Sequence, residues 1–339
     1  MSLRQRTEAK ASIDTSNIHV VKNDIKEEHG ENDFMTFAHN AADQAEQVVR
    51  KIIQAGWNVC HFNKLPHWLQ DNDYLKHGHR PPLPSFRACF KSIFRIHTET
   101  GNIWTHLLGC VTFISIAAYF LIHPTLEIQL QEKLVFGIFF IGAIACLGFS
   151  FAFHTVCCHS QFVSQVFSKL DYAGISLLIM CSNVPWLYYG FYCHFHPKLI
   201  YVIAVCVLGL MTIVVSFLER FSAPAWRSFR AGLFICFGLS GVIPAIHYGF
   251  LEGWVNSVSL SSLGWLVLMG ALYIAGALLY ACRIPERFFP GKFDIWLHSH
   301  QIFHVFVISA ALVHFRGITE LALHRISFAQ CELANTLIL

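Results

Sequence analysis

The chain has 339 residues, of which 55% are hydrophobic and only 13% charged, with 31 Phe and a mean hydropathy of +0.49. Soluble globular domains carry about 25% charged residues, so this composition excludes an ordinary water-soluble domain. The formal net charge of +3 decides little by itself, and nucleic acid is not an expected partner.

Residues 1–33 are rich in Lys, Glu, Asp and Ser. They lack the apolar surface needed to fold and are expected to form a disordered cytosolic tail without a signal peptide. From Ala41 to Trp57 the apolar residues Ala41, Ala45, Val48, Val49, Ile52, Ile53 and Trp57 recur at helical spacing. Residues 34–90 are therefore expected to hold a cytosolic amphipathic helix, followed by a linker broken into turns at Pro66, Pro81, Pro82 and Pro84.

Residues 91–318 contain seven apolar runs long enough to span a bilayer: 104–122, 134–155, 170–189, 199–218, 231–250, 262–282 and 300–318. Pro185 and Pro244 fall inside the third and fifth, where neighbouring helices can satisfy the freed backbone groups. Residues 319–339 return to mixed polarity and are expected to be an extracellular tail. The predicted fold class is thus an all-α, polytopic seven-helix transmembrane bundle.

The loops after the second, fourth and sixth spans carry Lys169, then Arg220, Arg227 and Arg230, then Arg283, Arg287 and Lys292, whereas the others carry only Lys133 and Lys198. The excess of positive charge places the former loops in the cytosol, with the N-terminus inside and the C-terminus outside. That is the reverse of a G-protein-coupled receptor. The twelve cysteines include no Cys-x-x-Cys pair, and Cys110, Cys146, Cys181, Cys206, Cys236 and Cys282 lie singly within spans. They are expected to act as small hydrophobes in a mostly reduced chain, not as a zinc finger or redox motif.

His300 and His304 open the seventh run at a spacing of four, which puts both imidazoles on one helix face. Ionisable side chains are costly inside a membrane segment and mark function there. The orientation brings His154, at the end of the second span, and Asp171, at the start of the third, to the same depth, with Ser150 one turn before His154. Three histidines with an open position form the ligand set of a catalytic zinc, and a neighbouring carboxylate can orient or deprotonate its water. Asp171 can instead cap the third span. His298 lies about 200° round from His300 and is expected to be a solvated loop histidine. Cys157, Cys158 and His159 are expected to serve packing. His194 and His196 fall in an outer loop, and His106 and His247 are expected to be core histidines.

Several runs resemble the adiponectin receptors of the progestin and adipoQ receptor family: SIFRIHTETGNIWTH at 92–106, FHTV at 153–156, KLDY at 169–172, RIPERFFPGKFD at 283–294 and SHQIFH at 299–304. The resemblance covers residues 85 to 318. It implies a multi-pass plasma-membrane receptor with a zinc ion near the inner leaflet and an outer face that answers a collagen-tailed hormone such as adiponectin. Carried over by motif, the ligands fall on His154, His300 and His304, and Asp171 contacts the metal through water. Ser150 fits the serine of a wider, similar group of membrane hydrolases.

The function expected from both lines is a hormone receptor enclosing a zinc-dependent amidase for ceramide-like lipids, with ceramide or fatty acid in the bundle. Asp171 and Ser150 are the expected catalytic residues. A signalling receptor with purely structural zinc is the alternative; a transporter is a third class, against which the chain lacks the repeated pair of broken helices that marks many transporters. A cytosolic adaptor at the N-terminal segment and an oligomer stay open.

Overall fold

The computed structural model describes residues 59–122, 129–222, 224–254 and 262–327. The expected N-terminal tail, the amphipathic helix of 41–57 and the last twelve residues lie outside the described residues. Among the described residues there is no strand, only an isolated antiparallel bridge between Cys60 and His79. Seven helical stretches are long and apolar enough to cross a membrane.

In chain order, α1 (Phe86–Ser92) precedes α2 (Thr100–Ile122), α3 (Leu130–Val156), α4 (Gln161–Gly190) and α5 (Phe195–Ser216). After these come α6 (Arg227–Leu239), α7 (Val242–Glu252), α8 (Ser262–Cys282) and α9 (Ser299–Ser327). A helix satisfies its backbone internally, as lipid requires, so the apolar runs have little alternative. The fifth span is two helices, α6 and α7, separated at Ser240 and Gly241. Pro244 does not make this break. It sits in the first turn of α7, where a missing N–H costs nothing. Pro185 does lie inside α4, and it deprives the Cys181 carbonyl of its helical donor. One residue on, His314 of α9 donates from Nε2 to the Ser182 carbonyl at 2.9 Å.

The helices are longer than the apolar runs. Ser160 caps α4 by accepting the Val163 N–H at 3.4 Å, so Asp171 lies well inside the helix, and the capping role considered for it does not hold. Likewise α9 continues to Ser327, beyond the expected end of the span at 318. Arg227 and Arg230, counted among loop charges, are buried in the first turn of α6, with their guanidinium groups over the rings of Tyr280 (4.3 Å) and Tyr172 (4.7 Å).

Lipid tails are as apolar as leucine, so helix association in a membrane rests on close packing. The α3–α4 pair is the most extensive interface. It closes through small residues: a Cβ on Gly174 would stand 2.9 Å from the Cα of Cys146. Toward the other end of these helices an aromatic cluster of Phe113, Phe136, Phe139, Phe140 and Phe315 fills the bundle, with edge-to-face pairs such as Phe113–Phe139 at 5.9 Å. α9 packs on α2, α4 and α8, which seats its first turns beside the end of α3.

Gly174→Ala should lower unfolding stability in detergent by about 1–3 kcal/mol, because backbone must move to admit the methyl group. Gly232→Ala in α6, where a Cβ meets nothing within 4 Å, should leave the thermal midpoint unchanged or raise it.

Candidate metal centre

Three imidazoles meet at one end of the bundle. His154 comes from the last turn of α3, His300 and His304 from the first two turns of α9. Their ring centroids lie 4.8 Å (His154–His300), 5.0 Å (His154–His304) and 4.8 Å (His300–His304) apart. One ligand nitrogen from each falls within 4.8 Å of the others, a group able to hold a metal ion. His154 and His304 are buried and His300 half-buried.

Which nitrogen each ring offers is set by the partner of the other. His154 Nδ1 is 2.7 Å from the carboxylate of Glu99, while its buried Nε2 has no hydrogen-bond partner in the protein. His304 Nδ1 faces the Thr105 hydroxyl at 3.2 Å and the Asn102 carbonyl at 3.3 Å, which turns Nε2 toward the other rings. A buried imidazole nitrogen without a protein partner can serve as a ligand. The residues present therefore fit a cation bound by three nitrogens.

The α9 ligands are aimed from their own helix start. Glu286, completely buried, accepts the Ser299 N–H at 2.8 Å and also the Ser299 hydroxyl, so a carboxylate sits on the positive end of α9. Leu297 takes a left-handed conformation (φ 62°), and its N–H is held by Gln301 Oε1 at 2.7 Å. His106 stacks on His304 with ring centroids 3.5 Å apart and nearly parallel planes.

Asp171 and Ser150 are both buried and line, with the three histidines, a single cavity of about 920 Å³. Its walls run along α4, α6, α7, α8 and α9 through residues such as Ile175, Phe234, Ala245, Ile274 and Phe303. The outcome for the other histidines is mixed. His298 is not solvated: it is buried, with Nε2 3.1 Å from the Thr98 carbonyl, because the segment before α9 folds under the bundle. His247 is hydrogen-bonded to Tyr201 at 2.9 Å, and His194 precedes α5 while His196 lies in its first turn, away from the site. Cys157 packs on Arg80, Cys158 on Cys89, and His159 stacks on Phe86 at 4.2 Å, as expected of packing residues.

Sequence reasoning assigned no role to Glu99 or Glu286. The signal was present, since both are acids inside the runs 92–106 and 283–294. Only the fold shows that they hold His154 and the start of α9.

A model of the haemolysin-III-related family matches residues 94–315. The chain is 67% identical over 299 residues to the adiponectin receptor protein of Drosophila melanogaster, covering 88% of this chain and 67% of that protein. It is 56% identical over 291 residues to progestin and adipoQ receptor-like protein 1 of Caenorhabditis elegans, covering 85% and 67%. With the ADIPOR-like receptor IZH2 of Saccharomyces cerevisiae it shares 38% identity over 283 residues, 81% of this chain and 85% of that one. The chain thus spans about two thirds of the length of the two animal relatives.

Beside the site, His97 fixes the backbone of Glu99. It is fully buried, its Nδ1 accepts the Glu99 N–H at 3.1 Å and its Nε2 donates to the Ser92 carbonyl at 3.1 Å. Only the neutral ring can do both. Burial first, and the neighbouring Arg80 charge second, lower its pKa to about 3. The unfolded chain takes up this proton near pH 6.5, so the stability present above that pH is lost as pH falls toward 3. Between pH 7.5 and 5 this group should account for about 2 kcal/mol of lost stability. His97→Gln should flatten that part of the pH dependence in thermal unfolding.

Proposed function

The chain belongs to the haemolysin-III-related membrane family, among its progestin and adipoQ receptors, and from that premise we propose a zinc-dependent amide hydrolase built into a hormone receptor. The extracellular ligand is an adiponectin-like hormone and the substrate a ceramide-like lipid taken into the bundle. The plasma membrane is its place of action. The observation that carries this reading is the three-histidine group at the end of a large apolar cavity that also holds Asp171 and Ser150.

His154, His300 and His304 would hold the ion. Zinc bound there supplies Lewis-acid polarisation of a carbonyl and acidifies water. The cavity walls align the acyl chain so that its amide lies at the histidine end. Asp171 accepts the proton of the attacking water and returns it to the leaving amine, so the C–N bond is replaced by a C–O bond and a fatty acid and a sphingoid base result. Ser150 donates a hydrogen bond to the carbonyl oxygen as charge develops on it. Glu99 keeps His154 in the tautomer that presents Nε2. A structural zinc is closed by four protein ligands, so a set of three nitrogens supports catalysis over simple stapling.

The site end carries the Lys- and Arg-rich loops and is assigned to the cytosol. At the opposite end Cys193 is disulfide-bonded, in keeping with an oxidising exterior, while the ten other cysteines described are free.

Purified protein should carry close to one zinc per chain; His300→Ala should lose it and His247→Ala should keep it. Asp171→Asn should retain the fold and most of the metal but lose fatty-acid release from ceramide. Wild-type release no greater than that of a metal-free control would remove the hydrolase and leave the receptor. Terminal epitope tags on intact cells should be accessible at the C-terminus alone, and labelling of the N-terminal tag without permeabilisation would reverse the orientation.

A further inference from the structure

Residues 59–85, ahead of the spans, form a packed strap. The strap opens with 3-10 turns at Phe62–Lys64 and His67–Leu69 and doubles back at the Cys60–His79 bridge. Gly78 takes a left-handed conformation there (φ 84°), and its carbonyl accepts the Thr98 N–H at 2.9 Å. Two acids of the segment before α9 grip the strap. Glu286 accepts from Asn72 Nδ2 at 3.1 Å, and the Asp294 carboxylate accepts the N–H groups of Lys76 (2.8 Å) and His77 (2.9 Å). Glu286 is the same residue that holds the start of α9.

From this strap Arg80 enters the protein and is 3% exposed. Its Nη1 donates to the Thr155 carbonyl at 2.9 Å and the Ser92 hydroxyl at 2.8 Å, and its Nη2 donates to the carbonyl of His154 itself. Nη2 also reaches the Cys157 sulfur at 3.2 Å. The last carbonyls of a helix lack intrahelical donors and carry partial negative charge, which suits a cation. A guanidinium fork can take two successive carbonyls at once, where an ammonium cannot with the same geometry.

We propose that Arg80 is a positioning residue of the metal centre, and that the strap sets the spacing between its two halves. This rests on the zinc reading above. Arg80 holds the backbone of His154 while Glu99 holds its ring, so the nitrogen offered by α3 is fixed at both ends. Through Asn72, Glu286 and Ser299 the same strap is joined to the helix start that carries His300 and His304. Arg80 lies outside the segment matched by the family, 94–315, yet touches a residue of the site.

The test uses the purified full-length chain, competitive zinc titration and the visible absorption of the cobalt(II) form. Arg80→Gln should bind zinc about ten- to a hundred-fold more weakly and show displaced cobalt bands. Arg80→Lys, which keeps the charge without the fork, should fall between Gln and wild type. Phe113→Leu, in the aromatic core away from the site, should match the fall in Tm but keep wild-type zinc affinity and spectrum. Wild-type affinity and spectrum in Arg80→Gln, or in Arg80→Lys should the Gln variant not fold, would overturn the proposal. So would zinc loss in Phe113→Leu in proportion to its Tm. Wild-type protein that binds no zinc would overturn the zinc reading and this proposal with it, whereas zinc retained by wild type and Arg80→Gln alike would overturn this proposal alone.

Discussion

The pairing of His154 with Glu99 is the contact on which the site end of this bundle depends. A partly buried carboxylate beside an apolar span is costly unless its oxygens are engaged, and here Glu99 meets the imidazole at 2.7 Å and the Asn102 amide at 2.7 Å. Satisfying Glu99 decides the tautomer of His154, and the tautomer decides which nitrogen faces the other histidines. The neutral His97 beneath it completes the arrangement by anchoring the Glu99 backbone.

Around that contact, polar groups at this end form connected sets that tie successive elements together. Glu286 joins the strap to α9, Asp294 joins the strap to the segment before α9, and Arg80 joins the strap to α3. Such links hold the elements they join in register, although Arg80 Nε and Asn102 Oδ1 have no protein partner. The far half of the bundle is built differently, from stacked and edge-to-face aromatic rings and close glycine contacts. Polar networks thus concentrate at the histidine end and apolar packing beyond it. The cavity links the two regions, bounded in part by α8, whose span is the least buried of the seven.

The histidine end and the aromatic end of the bundle are connected through its long helices. α9 runs the whole distance: it carries His300 and His304 at its start, and near its end Arg325 donates to the Tyr189 carbonyl at 3.2 Å. The Ser182 carbonyl, accepting from His314, links α9 to α4 midway, beside the irregularity at Pro185. A displacement of α9 along its axis would thus be felt at the histidines, and the fifth span is interrupted at Ser240 and Gly241.

The number of spans and the three histidines were legible in the sequence because each rests on a local cause. Apolar runs near twenty residues have one stable conformation in lipid, and a spacing of four fixes two side chains on one helix face. Placing His154 and Asp171 at the depth of His300 needed only the alternation of spans. Helix ends were less legible. Ser160 starts its helix in polar sequence that hydropathy does not count, so Asp171 looked like a cap, and His298, in the loop before α9 as expected, proved buried where it was expected to be solvated. Arg80 could not be assigned from the sequence at all, and Glu99 and Glu286 showed there only as acids within the runs 92–106 and 283–294. Each acts on a residue distant along the chain, Arg80 on His154 and Glu99 on the same ring, and such contacts exist only once the strap and the helices have closed together. Sequence alone determined the membrane-spanning runs and that the three histidines share one end of the bundle; the tertiary structure decided which flanking groups are buried and how their charge and hydrogen bonds are satisfied, because those partners come from across the fold.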